Sequence, residues 1–439
     1  MTGPRQRAAW HPFGPLLDAP GAGGLWAGRL MERSGDWILL IAALALAWDL
    51  TADPAVVAVL ILVRILPRAV LLIIGLPAEA RRIAAKLFFL ITPMRAVLAA
   101  GLVLLADAGG LPWLLAAVAA NAVLWALADA VRVESVALLV PRLVLGRAVL
   151  LDATTERIAI VLGPASAWLI LTISGVQAAL AAAGLLLAAA SVLVLGRTGL
   201  VARLRAGSVA SATGREDIHP ARGPAWDLVK AHPTLTLMAA GSFAAGALCT
   251  SLIIVLMVVT TERLGGQASW LGWLLAVVGL GTLIGPVAMI RVLAHVTAQL
   301  LIAAAVIMTA AGVVVIGLTS SLLVVLISLF ALGLVAVNAG AIVATVTRRL
   351  TAADRLADTS RAMLSASVCG QATGALVFVA TTSRGVADVS LILSAASVVL
   401  VGALLIAGRA AVESSTVVRQ DGAGRDKASA DGAAHGRPT

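Results

Sequence analysis

Twelve predominantly apolar runs follow one another along this 439-residue chain, each close to the roughly 20 residues a helix needs to cross about 30 Å of hydrocarbon. They lie near residues 25–50, 54–76, 84–106, 112–133, 151–172, 176–196, 234–260, 269–290, 297–317, 321–346, 361–381 and 388–408. Hydrocarbon offers a peptide group no hydrogen-bond partner, so each run must satisfy its own backbone as a helix. The composition agrees: 61% of the residues are hydrophobic and 12% charged, with a mean hydropathy of +1.03, against about a quarter charged in soluble domains. The expectation is an all-α polytopic membrane protein with twelve transmembrane helices, embedded in the lipid bilayer.

Lysine and arginine set the orientation. With the N-terminus in the cytoplasm, the inner loops and tails hold nearly all of these residues outside the spans, and the outer loops hold only Arg263 and Arg384. The positive-inside rule then puts both termini in the cytoplasm of a cell whose inner (plasma) membrane the chain crosses many times. Trp48, Trp113, Trp168, Trp270 and Trp273 fall at expected outer ends, where interfacial indoles sit. The net charge of +10 is thus topological, and no nucleic-acid partner is expected. Met1 to Gly24 holds four prolines and no continuous apolar core, so the first hydrophobic run is expected to be a retained helix rather than a cleaved signal.

Several chemistries find no residues to carry them. Cys249 and Cys369 lie inside apolar runs, and the five histidines fall in tails and loops, which leaves neither a disulfide framework nor a metal site. No span carries a Ser, His and Asp set, so an enzyme is not expected, and no cofactor is implied. The glycines of "GLGTLIG" (Gly279 to Gly285) lie inside a span with no preceding strand and read as close helix packing, not as a phosphate loop.

One break in composition divides the chain. Residues 197–233 are polar and basic, a cytoplasmic linker between six-helix bundles at 25–196 and 234–408, with tails at 1–24 and 409–439. The two bundles share spaced residues: Gly75 precedes Arg81 as Gly285 precedes Arg291, an offset of 210, and the Arg142–Leu143 pair precedes Gly163 as Arg349–Leu350 precedes Gly370, an offset of 207. Equal, even helix counts make these parallel repeats about an axis along the membrane normal.

The stretches "LVRILPRAVLL", "LLVPRLVLGRAVLLDATTERIAIVLGPA", "LGWLLAVVGLGTLIGP" and "VTRRLTAADRLADTSRAM" resemble the major facilitator superfamily, in particular its drug-efflux branch of macrolide-efflux and enterobactin-exporter-like carriers. The resemblance runs from Leu25 to about Gly408. It implies two six-helix bundles around a central cavity and, as function, proton-coupled export of a small amphiphilic compound by a monomer. The family's gating loop has the pattern G-x-x-x-D-R-x-G-R-R. Here Gly75, Glu79, Arg81 and Arg82 occupy it, with Ala80 where a basic residue is expected. Two other readings stand beside transport: a transporter-shaped membrane partner or sensor, and a polytopic membrane enzyme.

Charge inside the spans is concentrated in the first half. Arg29, Glu32, Arg33 and Asp36 stand at i, i+3, i+4 and i+7, on one helical face. Asp36 lies deep enough to need an interior partner, and Arg64, Arg68 and Arg95 supply candidates. Asp36 and Glu32 are the candidate proton-coupling groups. With Arg29 and Arg33 counted, cations exceed acids in this set, which points to an anionic substrate. Asp129 and the Glu156–Arg157 pair are placed at helix ends, outside the set. Trp37, Asn121, Asn338 and Gln371 are candidate substrate-cavity groups.

Overall fold

The computed structural model describes residues 22–74, 78–105, 110–139, 145–195, 225–293, 298–351, 355–381, 385, 388–389 and 391–403. Among them there is no strand. The helices are α1 (Ala22–Thr51), α2 (Pro54–Ile74), α3 (Ala78–Leu105), α4 (Gly110–Leu139), α5 (Leu145–Leu195), the short α6 (Ala225–Ala231), α7 (Pro233–Val258), α8 (Trp270–Leu293), α9 (Ala298–Leu318), α10 (Leu322–Leu350) and α11 (Leu356–Ala380), followed by α12 (Leu391–Ala403). Seven helices among the described residues are long and apolar enough to span a bilayer by themselves.

Local chemistry sets the turns. Between α1 and α2, Ala52 adopts φ 48°, and Asp53 caps α2 by accepting a hydrogen bond from Ala55 N at 2.8 Å, with Pro54 as the first helical residue, where its missing N–H costs nothing. The expected spans at 151–172 and 176–196 are two helices within α5 that meet at Gly175, with φ 80° and ψ −177°; the chain turns back there, since Gly163 and Ala183 both pack against the Ser34–Trp37 stretch of α1. Only glycine takes that conformation without strain. Past α7, residues Val259–Arg263 form a single π-helical turn.

We name the end of the bundle where α1 begins the near end, and the end where it stops the far end. Successive long helices alternate in direction between them. α1 packs along α5, and α7 along α11. The halves meet through α5 on α8 and α2 on α11. Shifting by six helices exchanges these two seams, as a two-fold repeat demands.

The glycines show the repeat at atomic scale. A Cβ on Gly163 of α5 would stand 2.6 Å from Trp37 Cβ and 3.0 Å from Ser34 O of α1, and one on Gly370 of α11 would meet Phe243 O of α7. The same offset that links Gly163 to Gly370 carries the Ser34–Trp37 turn onto Phe243. "GLGTLIG" is a packing face, as read: a Cβ on Gly279 would collide with Ile160 O of α5, and one on Gly281 with Phe330 O of α10.

One buried apolar cluster crosses both halves, and it lies toward the far end. It joins Trp48, Val57, Leu114 and Leu171 to Val258, Leu271, Ile316, Val325 and Phe378. At the near end a separate cluster of Leu235, Met238, Ile302, Ile342 and Met363 belongs to the second half alone. The corresponding place in the first half is occupied by charge.

Candidate functional site

The charged face of α1 points inward and closes into a ring. Arg95, on α3 two residues past Pro93, has no exposed surface. Its Nη1 donates to Glu32 Oε1 at 2.9 Å, its Nη2 to Asp36 Oδ1, and its Nε to Asn121 Oδ1 of α4 at 3.0 Å. Glu32 Oε2 accepts from Arg29 Nη1 at 3.2 Å. Arg29 faces Glu156 of α5 at 3.6 Å and Asp152, one turn away, at 3.6 Å. Glu156 in turn lies 2.8 Å from Arg33 Nε, and Arg33 Nη1 stands 3.8 Å from Asp36 Oδ2. Signs alternate around the circuit Asp36, Arg95, Glu32, Arg29, Glu156 and Arg33.

A branch leaves this ring. Asp129 Oδ1 accepts from Arg33 at 3.1 Å and Oδ2 from Arg68 at 3.0 Å. The guanidinium groups of Arg33, Arg64 and Arg68 lie 5.4, 5.7 and 4.8 Å from the Trp125 ring centroid, within cation–π range. Arg64 donates to the backbone carbonyl of Asp36 at 3.5 Å. So the expected partners Arg64, Arg68 and Arg95 do converge on α1 and α4. Of the three, only Arg95 pairs with the Asp36 carboxylate, while Arg68 takes Asp129.

Burial explains the arrangement. Asp36 is 3% exposed, Arg33 6% and Arg29 8%, and an unpaired ion at such depth costs several kcal/mol, about 3–5 when one partner of a buried pair is removed. Alternation of sign is what three buried and two half-buried guanidinium groups on three helices require.

The acids are more numerous than the sequence reading allowed. Asp129, Asp152 and Glu156 join Glu32 and Asp36, so five carboxylates face the five guanidinium groups of Arg29, Arg33, Arg64, Arg68 and Arg95. The expected excess of cations, and the anionic substrate inferred from it, are corrected to balance. The missing signal lay at the near-end turns of two spans: Asp129 on α4 and Asp152 and Glu156 on α5 face the charged side of α1.

The other candidates scatter. Trp37 is half-buried against α5, where α1 passes Gly163. Asn121 belongs to the ring through Arg95. Asn338 is buried in the second half, its Nδ2 donating to Leu334 O at 2.9 Å and Gly333 O at 3.3 Å, and a Cβ on Gly285 of α8 would overlap it. Gln371 sits half-buried on α11 where its backbone nears Gly246 of α7. The structure does not gather these four around one cavity. Gly75 lies outside the described residues, and so do the side chains of Glu79, Arg81 and Arg82. No group of three metal-ligating side chains exists among the described residues.

Paired helical bundles that meet at two seams exchanged by a repeat have the major facilitator fold. Solved structures with this fold are similar along nearly the whole chain. A peptide transporter POT in complex with alafosfalin superposes with a TM-score of 0.65 at 13% identity, over 88% of this chain and 94% of that one. A POT family transporter in complex with 5-aminolevulinic acid gives 0.63 at 14% identity, over 88% and 95%. A bacterial homologue of the iron transporter ferroportin in an inward-facing state gives 0.61 at 16% identity, over 87% and 98%. At these identities the likeness is one of fold, and its bearers are transporters, not enzymes. No protein-family model matches the sequence, and no curated protein is a significant match.

Proposed function

We propose that the chain is a secondary transporter that works by alternating access between six-helix bundles at 25–196 and 234–408, twelve spans in all. Its drug-efflux resemblance makes it a proton-coupled exporter of a small amphiphilic compound. Charge asymmetry of the loops supports an inner-membrane protein with its near end and both termini in the cytoplasm. The shared apolar core at the far end and the separate one at the near end fit a carrier sealed outside and open inside.

The observation that carries coupling is the ring. Its longest link is the 3.8 Å between Arg33 and Asp36 Oδ2, and that oxygen accepts no hydrogen bond although it is buried. A carboxylate held firmly on one oxygen and loosely on the other is the node at which a proton replaces an ion pair with least disruption. Asp36 is therefore the coupling group, Glu32 its neighbour one turn nearer the cytoplasm, and Arg64, Arg68 and Arg95 the charges that respond.

Purified protein in vesicles with an imposed pH gradient tests this. Asp36→Asn is expected to abolish gradient-driven accumulation while leaving downhill exchange in part, and Glu32→Gln to reduce accumulation less. Normal accumulation by Asp36→Asn would make the ring a structural lock. Ligand binding with no flux in the unaltered chain would identify a membrane partner or sensor instead.

A further inference from the structure

The two seams between the halves are exchanged by the repeat, but at the far end they are not filled alike. Where α5 meets α8 the backbones touch. A Cβ on Gly272 would stand 2.6 Å from Pro164 O and 2.8 Å from Trp168 N, and Thr172 Oγ1 lies 3.5 Å from Ser269 Oγ across the seam. Where α2 meets α11 the far end instead holds a cavity of about 330 Å³, within the size range of small-molecule sites. Its floor is apolar and buried: Val255, Val258 and Val259 from α7 and its π turn, and Phe378 from α11.

The rim carries opposed charges that are not equivalent. Asp53, Glu262 and Arg263 all reach solvent at this end. Arg263 is drawn aside, its Nη1 donating to the carbonyl of Gly317 at the end of α9. Asp53 spends Oδ1 on the α2 cap. Glu262 is exposed on the π turn, a helical irregularity that frequently marks functional sites. Among the described lining residues, two carboxylates and one engaged guanidinium leave one negative charge over an apolar floor.

We propose that this cavity is a binding site for a singly charged cationic amphiphile with an aromatic or compact apolar body, entered from the far end. The body lies on Phe378 and the valines, and the cation sits between Asp53 and Glu262. Because Asp53 to Ala55 belong to one half and the rest of the lining to the other, an occupant bridges the seam. It holds the far end closed, an effect that rests on the alternating-access reading, whereas the binding itself does not.

The probes are benzyltrimethylammonium and benzylsulfonate, similar in body and opposite in charge, titrated calorimetrically into the purified full-length chain. The cation is expected to bind at least tenfold more tightly. Asp53→Asn combined with Glu262→Gln should remove that preference and leave the fold intact, since asparagine also caps a helix. Ala55→Trp, which fills the cavity, should weaken cation binding at least tenfold, with the thermal unfolding midpoint of each variant recorded to show that it is folded. Equal binding of the two ions, no binding of either, or cation binding untouched by the folded variants overturns the proposal. In vesicles the cation added on the far side should slow transport without being carried. Binding without such slowing would count against the alternating-access reading and leave the site standing.

Discussion

With no exposed surface, the Arg95 guanidinium has Glu32, Asp36 and Asn121 as its polar neighbours. Replacing it with methionine keeps the volume and strands two carboxylates. We expect Arg95→Met to lower stability by about 3–5 kcal/mol, and Arg95→Met with Asp36→Asn to recover part of that loss, as read by denaturation of the purified protein. If the double variant were as unstable as the sum of the two single ones, the pair would not be coupled. The sequence reveals Asp36 and its need for a cationic partner, because an acid at that depth with none is untenable, and it offers Arg64, Arg68 and Arg95 without choosing among them. It does not reveal Asp129, Asp152 and Glu156 as members of the same cluster. Hydropathy places a residue along the membrane normal and says nothing of which neighbouring helix leans over it.

Helices carry the next level of the argument. Boundaries of the spans are legible because their lengths answer to one physical thickness, and the two spans of α5 are divided by Gly175 alone, whose positive φ lets the chain turn back with almost no loop between them. Close approach was legible in the glycines of "GLGTLIG" and through the repeat that relates Gly163 and Gly370. Alanine at Gly370, where the new Cβ meets the Phe243 carbonyl, should force α11 off α7 and destabilise by about 1–3 kcal/mol. Alanine at Gly101 of α3, where a Cβ meets nothing within 4 Å, should stabilise by up to about 1 kcal/mol. Unfolding midpoints of the two variants are expected to move in opposite directions. A fall of similar size in both would mean that the α7–α11 contact is not the constraint.

At the scale of the whole molecule, the apolar core that joins both halves lies at one end and the charge at the other. Cysteines placed at Ala52 or Ser174, which are exposed at the far end, are expected to react with an impermeant thiol reagent on intact cells. One at Lys230, exposed on α6 at the near end, should react only after permeabilisation. Labelling of the Lys230 position from outside would invert the membrane orientation. The equality of five guanidinium and five carboxylate groups in the described ring and its branch has an electrical meaning. A single charge moved fully across 100 mV changes its energy by about 2.3 kcal/mol. A bundle that rocks with its interior charges in balance moves none, so the empty carrier should reorient at a rate indifferent to membrane voltage. Whatever voltage dependence the loaded carrier shows then counts the charge of its cargo and its protons alone.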